Sequence, residues 1–347
     1  MVKIGIIGCG KIAQMRHIPE YLDNKNARII GITDMNEKRA HSLAALHNWK
    51  LYKTYRELLA DPDIAAVSVC TANHTHSQIT IDALRAGKHV LCEKPMAVSL
   101  DECNAMVFEA QKHKKILMIG HNQRLTKAHL KARRLIKDGV IGKPITFRTT
   151  FGHGGPETWS IDPGKDVWFF NSQKAGMGAM GDLGIHKTDL IQYLLDDRIV
   201  ETFGCLATID KNNLQGQLID VDDNAICIYR MKSGAIGTMS ASWTYYGQED
   251  NSTVIYGSKG IMKIYDDPSY SLKVIMKNGD EILYNLDRIQ TNAEQSKSGI
   301  IDEFVSSVAA DKESKIDGVS VLAGMRAVFA SIESSKKGRV IKIDENH

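Results

Sequence analysis

Apolar and polar residues alternate in blocks along the first third of the chain. Apolar runs typical of buried strands are separated by segments in which apolar residues recur at helical spacing. The predicted strands are residues 2–7, 27–33, 64–70, 88–92 and 116–119, and the predicted helices are residues 36–47, 55–60, 76–86 and 99–113. Strands that alternate with helices at short spacing predict right-handed crossovers and a parallel sheet covered on both faces.

After residue 122 the pattern changes to short segments in which apolar and polar positions alternate. A helix (126–138) leads into a strand (145–151), and a loop rich in glycine, tryptophan and aspartate precedes an apolar helix that ends near Leu195. Further strands are predicted at 199–209, 221–231, 235–245, 252–256, 261–265, 271–276 and 281–285, then helices at about 296–310 and 318–336 and a strand at 339–343. Turn pairs such as Asn278-Gly279 favour antiparallel hairpins. The pattern therefore predicts an α/β protein of two domains, residues 1–122 and 123–347, the second an α+β domain with a large, open, mostly antiparallel sheet.

Composition and charge exclude several classes of protein. The chain has 347 residues, 43% hydrophobic and 24% charged, which is enough for two domains with full cores. The net charge of +3 is too small to indicate a nucleic-acid partner, and a basic cluster at helical spacing predicts a solvated helix face (Lys131, Arg133, Arg134, Lys137). No apolar run reaches the ~18 residues of a spanning helix, so no membrane partner is expected.

The cysteines and the start of the chain point to one compartment. The six cysteines are scattered, mostly in apolar runs, and form no CxxC pair. The chain opens on strand residues without the apolar region of a signal peptide. We therefore expect a cytoplasmic protein with reduced, buried cysteines.

A glycine-rich segment follows the first predicted strand and opens a helix. Gly8-Cys9-Gly10-Lys11-Ile12-Ala13 has the G-x-G-x-x-A spacing of a dinucleotide-binding turn. Gly8 permits the tight turn, Gly10 lets the backbone approach a pyrophosphate, and Ala13 allows close packing of helix on strand. The helix N-terminus offers N–H groups to the phosphates. Asp34 ends the second strand roughly 20 residues later, where a carboxylate accepts hydrogen bonds from a ribose 2′-OH and repels a 2′-phosphate. The segment predicts NAD, with NADP disfavoured; a helix N-cap role for Asp34 is compatible with this.

Polar groups follow three of the other predicted strands. They are Thr71-Ala72-Asn73-His74, Glu93-Lys94-Pro95 and His121-Asn122. Ligands of open parallel sheets bind outside the carboxyl ends of the strands, so these groups should line one crevice. His74 and His76 lack a further ligand at a suitable spacing, and hydride chemistry needs no metal, so no metal site is expected.

A second candidate group begins the apolar helix of the second region. Asp182 and His186 are four residues apart and share one helix face, where a carboxylate fixes the tautomer of an imidazole and raises its basicity. The alternative is a helix-start aspartate with a buried, hydrogen-bonded histidine. Lys187 and Asp189 are interpreted as solvated or helix-face residues, Asp189 being a weak candidate. Aromatic residues of the preceding loop either stack on a sugar ring or pack the loop (Trp159, Trp168, Phe169, Phe170).

In combination, these motifs resemble the Gfo/Idh/MocA oxidoreductases over nearly the whole chain. The resemblance rests on Gly8-x-Gly10-x-x-Ala13, Thr71-x-Asn73-His74-x-His76, Ala86-Gly87-Lys88-His89, Glu93-Lys94-Pro95, Gly120-His121-Asn122-x-Arg124 and Asp182-x-Gly184-x-His186. Two positions depart from the family pattern: Ala72 stands where proline is usual, and Gly176-Met177-Gly178-Ala179 replaces a more continuous glycine run.

The resemblance implies roles for individual residues. It implies a Rossmann domain, a C-terminal domain with an open antiparallel sheet, and NAD(P)-linked oxidation or reduction of a sugar, inositol or related polyol. The implied catalytic residues are Lys94, Asp182 and His186. The predicted cofactor-binding residues are Gly8, Gly10, Lys11, Ile12, Asp34, Thr71, Asn73, His76, Glu93, Lys94 and Asn122; the predicted substrate residues are Lys94, Asn122, Trp168, Asp182 and His186.

The family resemblance also leaves alternatives open. Either His186 or Lys94 is the base. An NAD-retaining glycosidase of the same fold, or a dinucleotide-binding regulator without turnover, is an alternative function, although the retained catalytic residues argue against the regulator. We expect a homodimer or homotetramer formed through the sheet of the second domain, because helices on one side leave its other face uncovered.

Overall fold

The computed structural model of the protein describes residues 1–289 and 297–344. Its strands are β1 (Val2–Ile7), β2 (Ala27–Thr33), β3 (Lys50–Leu51), β4 (Ala66–Val69), β5 (His89–Cys92), β6 (Leu117–Ile119), β7 (Pro144–Gly152), β8 (Ile199–Ala207), β9 (Asn224–Met231), β10 (Ile236–Ser242), β11 (Thr253–Gly257), β12 (Gly260–Asp267), β13 (Tyr270–Met276), β14 (Glu281–Tyr284) and β15 (Ile341–Lys342).

The α-helices are α1 (Ile18–Asp23), α2 (Glu37–His47), α3 (Tyr55–Ala60), α4 (His76–Arg85), α5 (Leu100–His113), α6 (Lys127–Lys137), α7 (Ser172–Ala175), α8 (Ile185–Leu195), α9 (Ile300–Ala310) and α10 (Gly318–Lys337). Two π-helical segments, Ala13–His17 and Met180–Gly184, lead directly into α1 and α8. Short 3₁₀ turns cover Asn73–Thr75, Asn122–Leu125 and Trp168–Phe170. No helix within these described ranges is both long enough and apolar enough to cross a membrane.

The chain forms two compact units. The first contains residues 1–122, 160–162 and, of the described residues, 297–322; the second contains the described residues of 123–159, 163–289 and 323–344. The division at 122/123 is the one drawn from the sequence pattern, but the two later segments of the first unit lie inside the range 123–347 that the pattern assigned to a continuous second domain.

The first unit contains a six-stranded parallel sheet. Its strand order is β3-β2-β1-β4-β5-β6, the order of a dinucleotide-binding Rossmann fold. Every residue of β4 is buried, as expected for a strand covered on both faces. α9 packs against β1 and α1, and Asn24 donates to Asp302 at 2.6 Å beside it. The predicted parallel sheet is confirmed.

The second unit contains a nine-stranded sheet in the order β14-β13-β12-β11-β7-β10-β9-β8-β15. All its pairings are antiparallel except that of β7 with β10. Helices lie against one face of this sheet: the Thr188 hydroxyl of α8 bonds to Tyr229 at 2.8 Å, and Ser331 of α10 bonds to Thr202 at 2.9 Å. The mostly antiparallel sheet is confirmed, and β7, an isolated strand in the sequence, lies at its centre.

Candidate active site

The turn after β1 has the geometry that its glycines predict. Gly8 has φ +92°, and a Cβ there would lie 2.6 Å from the carbonyl oxygen of Cys70, so only glycine lets the ends of β1 and β4 approach this closely. At Gly10, by contrast, a Cβ would meet no atom within 4 Å. Lys11 and Ile12, both half-buried, form the first helical turn after it. The turn therefore leaves room above Gly10 at a helix N-terminus, which is where a pyrophosphate binds in this fold.

Asp34 lies beside this turn at the end of β2. Its Oδ2 accepts the N–H of Cys9 at 2.5 Å, and its Oδ1 accepts the N–H of Asn36 at 2.6 Å. The guanidinium of Arg39 is 3.8 Å from Oδ1 and also pairs with Asp162 at 2.5 Å. The carboxylate is thus fixed next to the glycine turn, in the position that a Rossmann fold uses for the adenosine ribose. Open space at Gly10 and a fixed carboxylate at Asp34 together fit a bound dinucleotide.

The ends of β4 and β5 are joined by a buried histidine. His76 is 1% exposed, with Nδ1 2.8 Å from the carbonyl oxygen of Pro95 and Nε2 3.0 Å from that of Thr71. Burial lowers the pKa of His76. Thr71 is also bonded through its hydroxyl to Thr75 at 2.7 Å, and Asn73 is buried in the same turn. The imidazole of His76 therefore braces the two strand ends, while Thr71 and Asn73 lie at the crevice edge.

Glu93 is enclosed beneath the end of β5. Its Oε1 is 2.8 Å from Nε2 of His17 and 4.0 Å from the guanidinium of Arg16, and its Oε2 accepts the backbone N–H of Lys94 at 3.2 Å. Burial disfavours the carboxylate, but the hydrogen bond from His17 and the neighbouring charges of His17, Arg16 and Lys94 lower its pKa to about 2. A Cβ at Gly120 would lie 2.9 Å from this carboxylate. The side chain of Glu93 is thus an ionised anchor for the backbone at Lys94.

Lys94 and Asn122 complete the predicted groups of the first unit. Lys94 is half-buried and follows β5 directly, joined to Pro95 by a cis peptide bond. Asn122 is 6% exposed and lies just beyond the end of β6, where its N–H bonds to the carbonyl oxygen of Gly120 at 2.9 Å. The glycine turn, Asp34, Thr71, Asn73, Lys94 and Asn122 therefore all lie at the carboxyl ends of the strands of one sheet.

In the second unit, Asp182 lies in the π-helical segment and His186 in the first turn of α8. Both are buried, at 6% and 7% exposure. The indole N–H of Trp243 donates to Oδ2 of Asp182 at 3.1 Å, and Nε2 of His153 is 4.0 Å from the same oxygen. The ring of Phe151 is 5.9 Å from that of His186. A carboxylate and an imidazole in a nearly dry aromatic environment suit proton transfer, because a low dielectric strengthens each polar contact.

A series of aromatic rings extends from the loop that precedes α8 to the neighbours of the Asp182 carboxylate, Trp243 and His153. Trp168 stacks on Phe169 with ring centroids 3.8 Å apart, Phe169 is 5.3 Å from Trp159 and 6.4 Å from Trp243, and Trp159 is 6.1 Å from His153. These rings pack on one another, so the loop-packing alternative accounts for the contacts of Trp159 and Phe169. Trp168 remains half-buried at the end of the series.

The interpretation of Lys187 and Asp189 as solvated residues was wrong. Lys187 is fully buried, its Nζ donates to the carbonyl oxygen of Asn251 at 2.8 Å, and burial lowers its pKa to about 7. Asp189 is 2% exposed and accepts two bonds from Arg124, at 2.7 Å from Nε and 2.5 Å from Nη2. α8 is buried on nearly all sides, so its charged residues point into protein rather than into water.

Two neighbours of Asp182 were not found from the sequence. Trp243 follows β10 and His153 follows β7, and nothing local in the sequence connects either with Asp182. The parallel pairing of β7 with β10 aligns their ends, so that Gly152 lies opposite Ser242. The one available signal was the position of each residue immediately after a strand.

Within the described part of the chain, no group of three or more His, Cys, Asp or Glu residues is arranged to hold a metal ion.

The fold and these residues define a two-unit, dinucleotide-binding oxidoreductase. More specifically, the chain belongs to the Gfo/Idh/MocA family: the model for the oxidoreductase family with an NAD-binding Rossmann fold matches residues 2–121, and the model for the family's C-terminal domain matches residues 129–263. NAD is its cofactor, as the glycine turn and Asp34 predicted.

Similarity to individual relatives and to solved structures covers nearly the full length of the chain. The chain is 28% identical to the myo-inositol 2-dehydrogenase of Thermotoga maritima over 99% of both chains. It is 34% identical to the levoglucosan dehydrogenase of Pseudarthrobacter phenanthrenivorans over 59% of this chain and 56% of the relative. Among solved structures, a levoglucosan dehydrogenase in complex with NADH and levoglucosan shares the fold with a TM-score of 0.86, at 23% identity and 99% coverage of both chains.

Proposed function

We propose that this protein is an NAD-dependent dehydrogenase that oxidises a hydroxyl-bearing carbon of a sugar, inositol or related polyol, or reduces the corresponding ketone. The supporting observation is the buried pair Asp182 and His186, with the indole of Trp243 donating to Asp182 at 3.1 Å, in a chain of this family. The names of the similar proteins, a myo-inositol 2-dehydrogenase and a levoglucosan dehydrogenase, support the substrate class.

The proposed reaction assigns one task to each residue. Bound NAD⁺ supplies the hydride acceptor, and the carbon–hydrogen bond of the substrate carbinol gives up that hydride. Nε2 or Nδ1 of His186 takes the hydroxyl proton, so that the carbinol becomes a carbonyl. Asp182 orients the imidazole and stabilises its protonated form, and the ammonium of Lys94 stabilises the negative charge that develops on the substrate oxygen.

A substrate screen tests this proposal against its alternatives. The purified protein is mixed with NAD⁺ and, in separate reactions, with inositols, aldoses and anhydrosugars, and the absorbance of NADH is followed. We expect NADH to accumulate in bulk with at least one of these compounds. Cleavage of a glycoside without accumulation of NADH would indicate an NAD-retaining glycosidase, and tight binding of NADH with neither reaction would indicate a regulator.

We also propose that NAD is preferred over NADP. A carboxylate fixed at 2.5 Å from the N–H of Cys9 repels a 2′-phosphate and accepts a bond from a 2′-hydroxyl. Fluorescence titration with NADH and NADPH tests this preference. Tighter binding of NADPH would contradict the role given to Asp34.

We propose a homodimer or homotetramer that forms through the nine-stranded sheet. The sheet face away from α8 and α10 exposes large apolar side chains: Phe203, Ile226, Ile228 and Ile236 are 39%, 57%, 52% and 47% exposed. Phe203 and Ile228 are cross-strand partners, so the exposed residues form one patch. Contiguous apolar patches of this kind mark interfaces.

Light scattering tests the proposed assembly. We expect Ile228→Asp to lower the oligomeric mass at micromolar concentration, because it places a charge in the patch. Leu214→Asp is the matched control, since Leu214 is 65% exposed but lies in a loop outside the sheet. A monomeric parent protein would contradict the proposal.

Finally, we propose a cytoplasmic location. All six cysteines are free thiols, as expected in a reducing compartment. Cys205 is exposed on β8, unlike the buried position expected for it. Fractionation of the native host, followed by immunodetection, tests the location.

A further inference from the structure

Asp222 accepts hydrogen bonds from three successive backbone N–H groups at the start of the helix that carries Asp182. The N–H of Gly178 donates to Oδ1 of Asp222 at 2.8 Å, and the N–H of Met180 donates to Oδ2 at 2.7 Å. Between them, the N–H of Ala179 donates to the backbone carbonyl oxygen of Asp222 at 2.7 Å. The first N–H groups of a helix have no partner within the helix, so these three bonds fix where the helix begins and how it is directed.

Gly178 and Asp222 pack so closely that the turn has no room for a side chain at position 178. A Cβ at Gly178 would lie 1.8 Å from the carbonyl oxygen of Asp222, a distance that no side chain tolerates. Glycine at 178 is thus required by Asp222, whereas Met177 and Ala179 carry side chains that are buried without such a conflict. This explains why a glycine remains at 178 although the glycine run is interrupted on either side of it.

Asp223, the residue after Asp222, holds Trp243, whose indole contacts Asp182. The backbone carbonyl of Asp223 accepts the N–H of Trp243 at 2.8 Å, and the indole of Trp243 donates to Asp182 at 3.1 Å. The carboxylate of Asp223 is itself held by the N–H groups of residues 209, 210 and 211, at 2.7 to 3.0 Å. Asp222 and Asp223 therefore connect one rigid loop both to the backbone below Asp182 and to the donor on its carboxylate.

We propose that Asp222 is a positioning residue for catalysis: by holding the N–H groups of Gly178, Ala179 and Met180, it sets the direction in which Asp182 and His186 face the reacting atoms. The proposal rests on the proposed function. A displacement of about 1 Å of a catalytic group is enough to lower turnover by about 10²-fold. The side chain of Asp222 is half-buried, and desolvation raises the pKa of its carboxyl group to about 7. Because desolvating a carboxylate costs free energy, its two bonds at this turn are better explained by orientation than by stability.

The test compares two aspartates of the same loop. Asp222→Asn keeps one acceptor oxygen but turns an NH₂ group toward a backbone N–H, so one of the two bonds is lost. Asp220→Asn is the matched control: its carboxylate caps α7 through the N–H and hydroxyl of Ser172, at 2.8 and 2.7 Å, and does not contact the Asp182 turn. We expect kcat per NADH-binding site to fall at least about tenfold in Asp222→Asn, with the Kd for NADH within about twofold, and neither value to change in the control.

Counting sites by NADH titration separates positioning from folding. NADH titration counts the molecules with an intact first unit, and the melting temperature and circular dichroism report whether the second unit, which contains Asp222, is folded. A purely stabilising role for Asp222 would lower the melting temperature and leave kcat per folded molecule unchanged. Asp222→Ser, which is smaller and uncharged, repeats the measurement if Asp222→Asn does not fold. Failure of both variants to bind NADH, or an unchanged kcat per site, would overturn the proposal.

Amide hydrogen exchange decides the same question without any substrate. We expect the amide of Gly178 or of Met180 to exchange faster in Asp222→Asn than in the parent or in Asp220→Asn, because one of the two loses its side-chain acceptor. Unchanged exchange would overturn the positioning role. If the parent oxidises no sugar or polyol, the proposed function fails, while the exchange experiment still decides whether Asp222 holds the turn.

Discussion

Two glycine-containing turns precede helices in this protein, and the helix N-terminus is open at the first turn and occupied at the second. At the first turn a Cβ on Gly10 would meet no atom within 4 Å, so the positive end of the helix faces open space. At the second, a Cβ on Gly178 would overlap Asp222, whose carboxylate already occupies the N-terminal N–H groups. Both ends attract an anion. The first is open, as a site for the phosphates of NAD requires, and the second is closed by the carboxyl group of Asp222.

The comparison teaches that glycine spacing alone does not identify a ligand site. What distinguishes the two turns is a residue more than forty positions away in the chain: Asp222 is 44 residues from Gly178. The first turn should therefore govern cofactor binding, and the second should govern the alignment of Asp182 and His186. Single substitutions in each unit can test that division.

Lys94→Met tests an exception to this division, because Lys94 lies in the first unit but is proposed to act in turnover. The variant keeps the aliphatic stem and loses the charge and donors. Loss of one preorganised donor typically costs ~10²–10³ in turnover, so we expect kcat to fall at least about 100-fold while the Kd for NADH stays within a few-fold.

Steady-state kinetics and fluorescence titration measure the two effects of Lys94→Met. Lys53→Met is the control, since Lys53 is an exposed lysine of the same unit near β3. Parental turnover in Lys94→Met would mean that Glu93-Lys94-Pro95 is an ordinary charged strand end.

His186→Asn should give a loss of similar size from the second unit. Asparagine cannot accept the substrate proton, so we expect kcat to fall about 10²-fold or more, and the acidic limb of the pH–rate profile to disappear, because an imidazole base must be neutral to work. The pH dependence of kcat measures this, with His41→Asn, an exposed histidine on α2, as control. Persistence of the acidic limb would assign the base to another group.

A pair of glycine substitutions compares the two turns directly. Gly10→Ala adds a methyl group where nothing lies within 4 Å, so we expect normal thermal stability but weaker binding of NADH, by about tenfold or more, as the methyl enters the space for the pyrophosphate. Gly178→Ala should do the reverse: the overlap with Asp222 should lower the melting temperature and kcat and leave the Kd for NADH of the folded fraction near the parental value. Equal effects of both variants on NADH binding would contradict the division.

Lys187 tests stability rather than turnover: it should change how the free energy of unfolding depends on pH. Burial lowers its folded pKa to about 7 from an ordinary value of 10.5. Between these values the unfolded chain binds more protons, so the free energy of unfolding should rise with pH from about 7 to about 10 through this group. Lys187→Met should remove that rise.

Urea unfolding of the parent and the variant at several pH values measures the Lys187 effect. Lys137→Met serves as control because Lys137 is exposed at the end of α6. Parallel pH profiles for the parent and Lys187→Met would show that the lysine is charged in the folded protein.

The sequence alone predicted the parallel sheet of the first unit and the glycine turn after β1. The order of strands and helices there follows from apolar runs alternating with helical spacing, and the phosphate turn depends on Gly8 and Gly10, whose backbone requirements are local. The family motifs pointed to Lys94, Asp182 and His186 as candidates, and turn residues such as Asn278-Gly279 indicated the antiparallel sheet. In each case, residues close together in the chain carry the information.

The surroundings of the candidate residues in the second unit could not be predicted from the sequence and depend on contacts formed in the folded protein. The pairing of β7 with β10 brings His153 and Trp243 to Asp182, and the burial of α8 places the side chains of Lys187 and Asp189 inside the protein. Helical spacing cannot distinguish a solvated charge from one that finds its partner elsewhere, such as Arg124, 65 residues away from Asp189. These contacts join segments far apart in the sequence, and they form only because packing of the sheet and its helices removes the surrounding water.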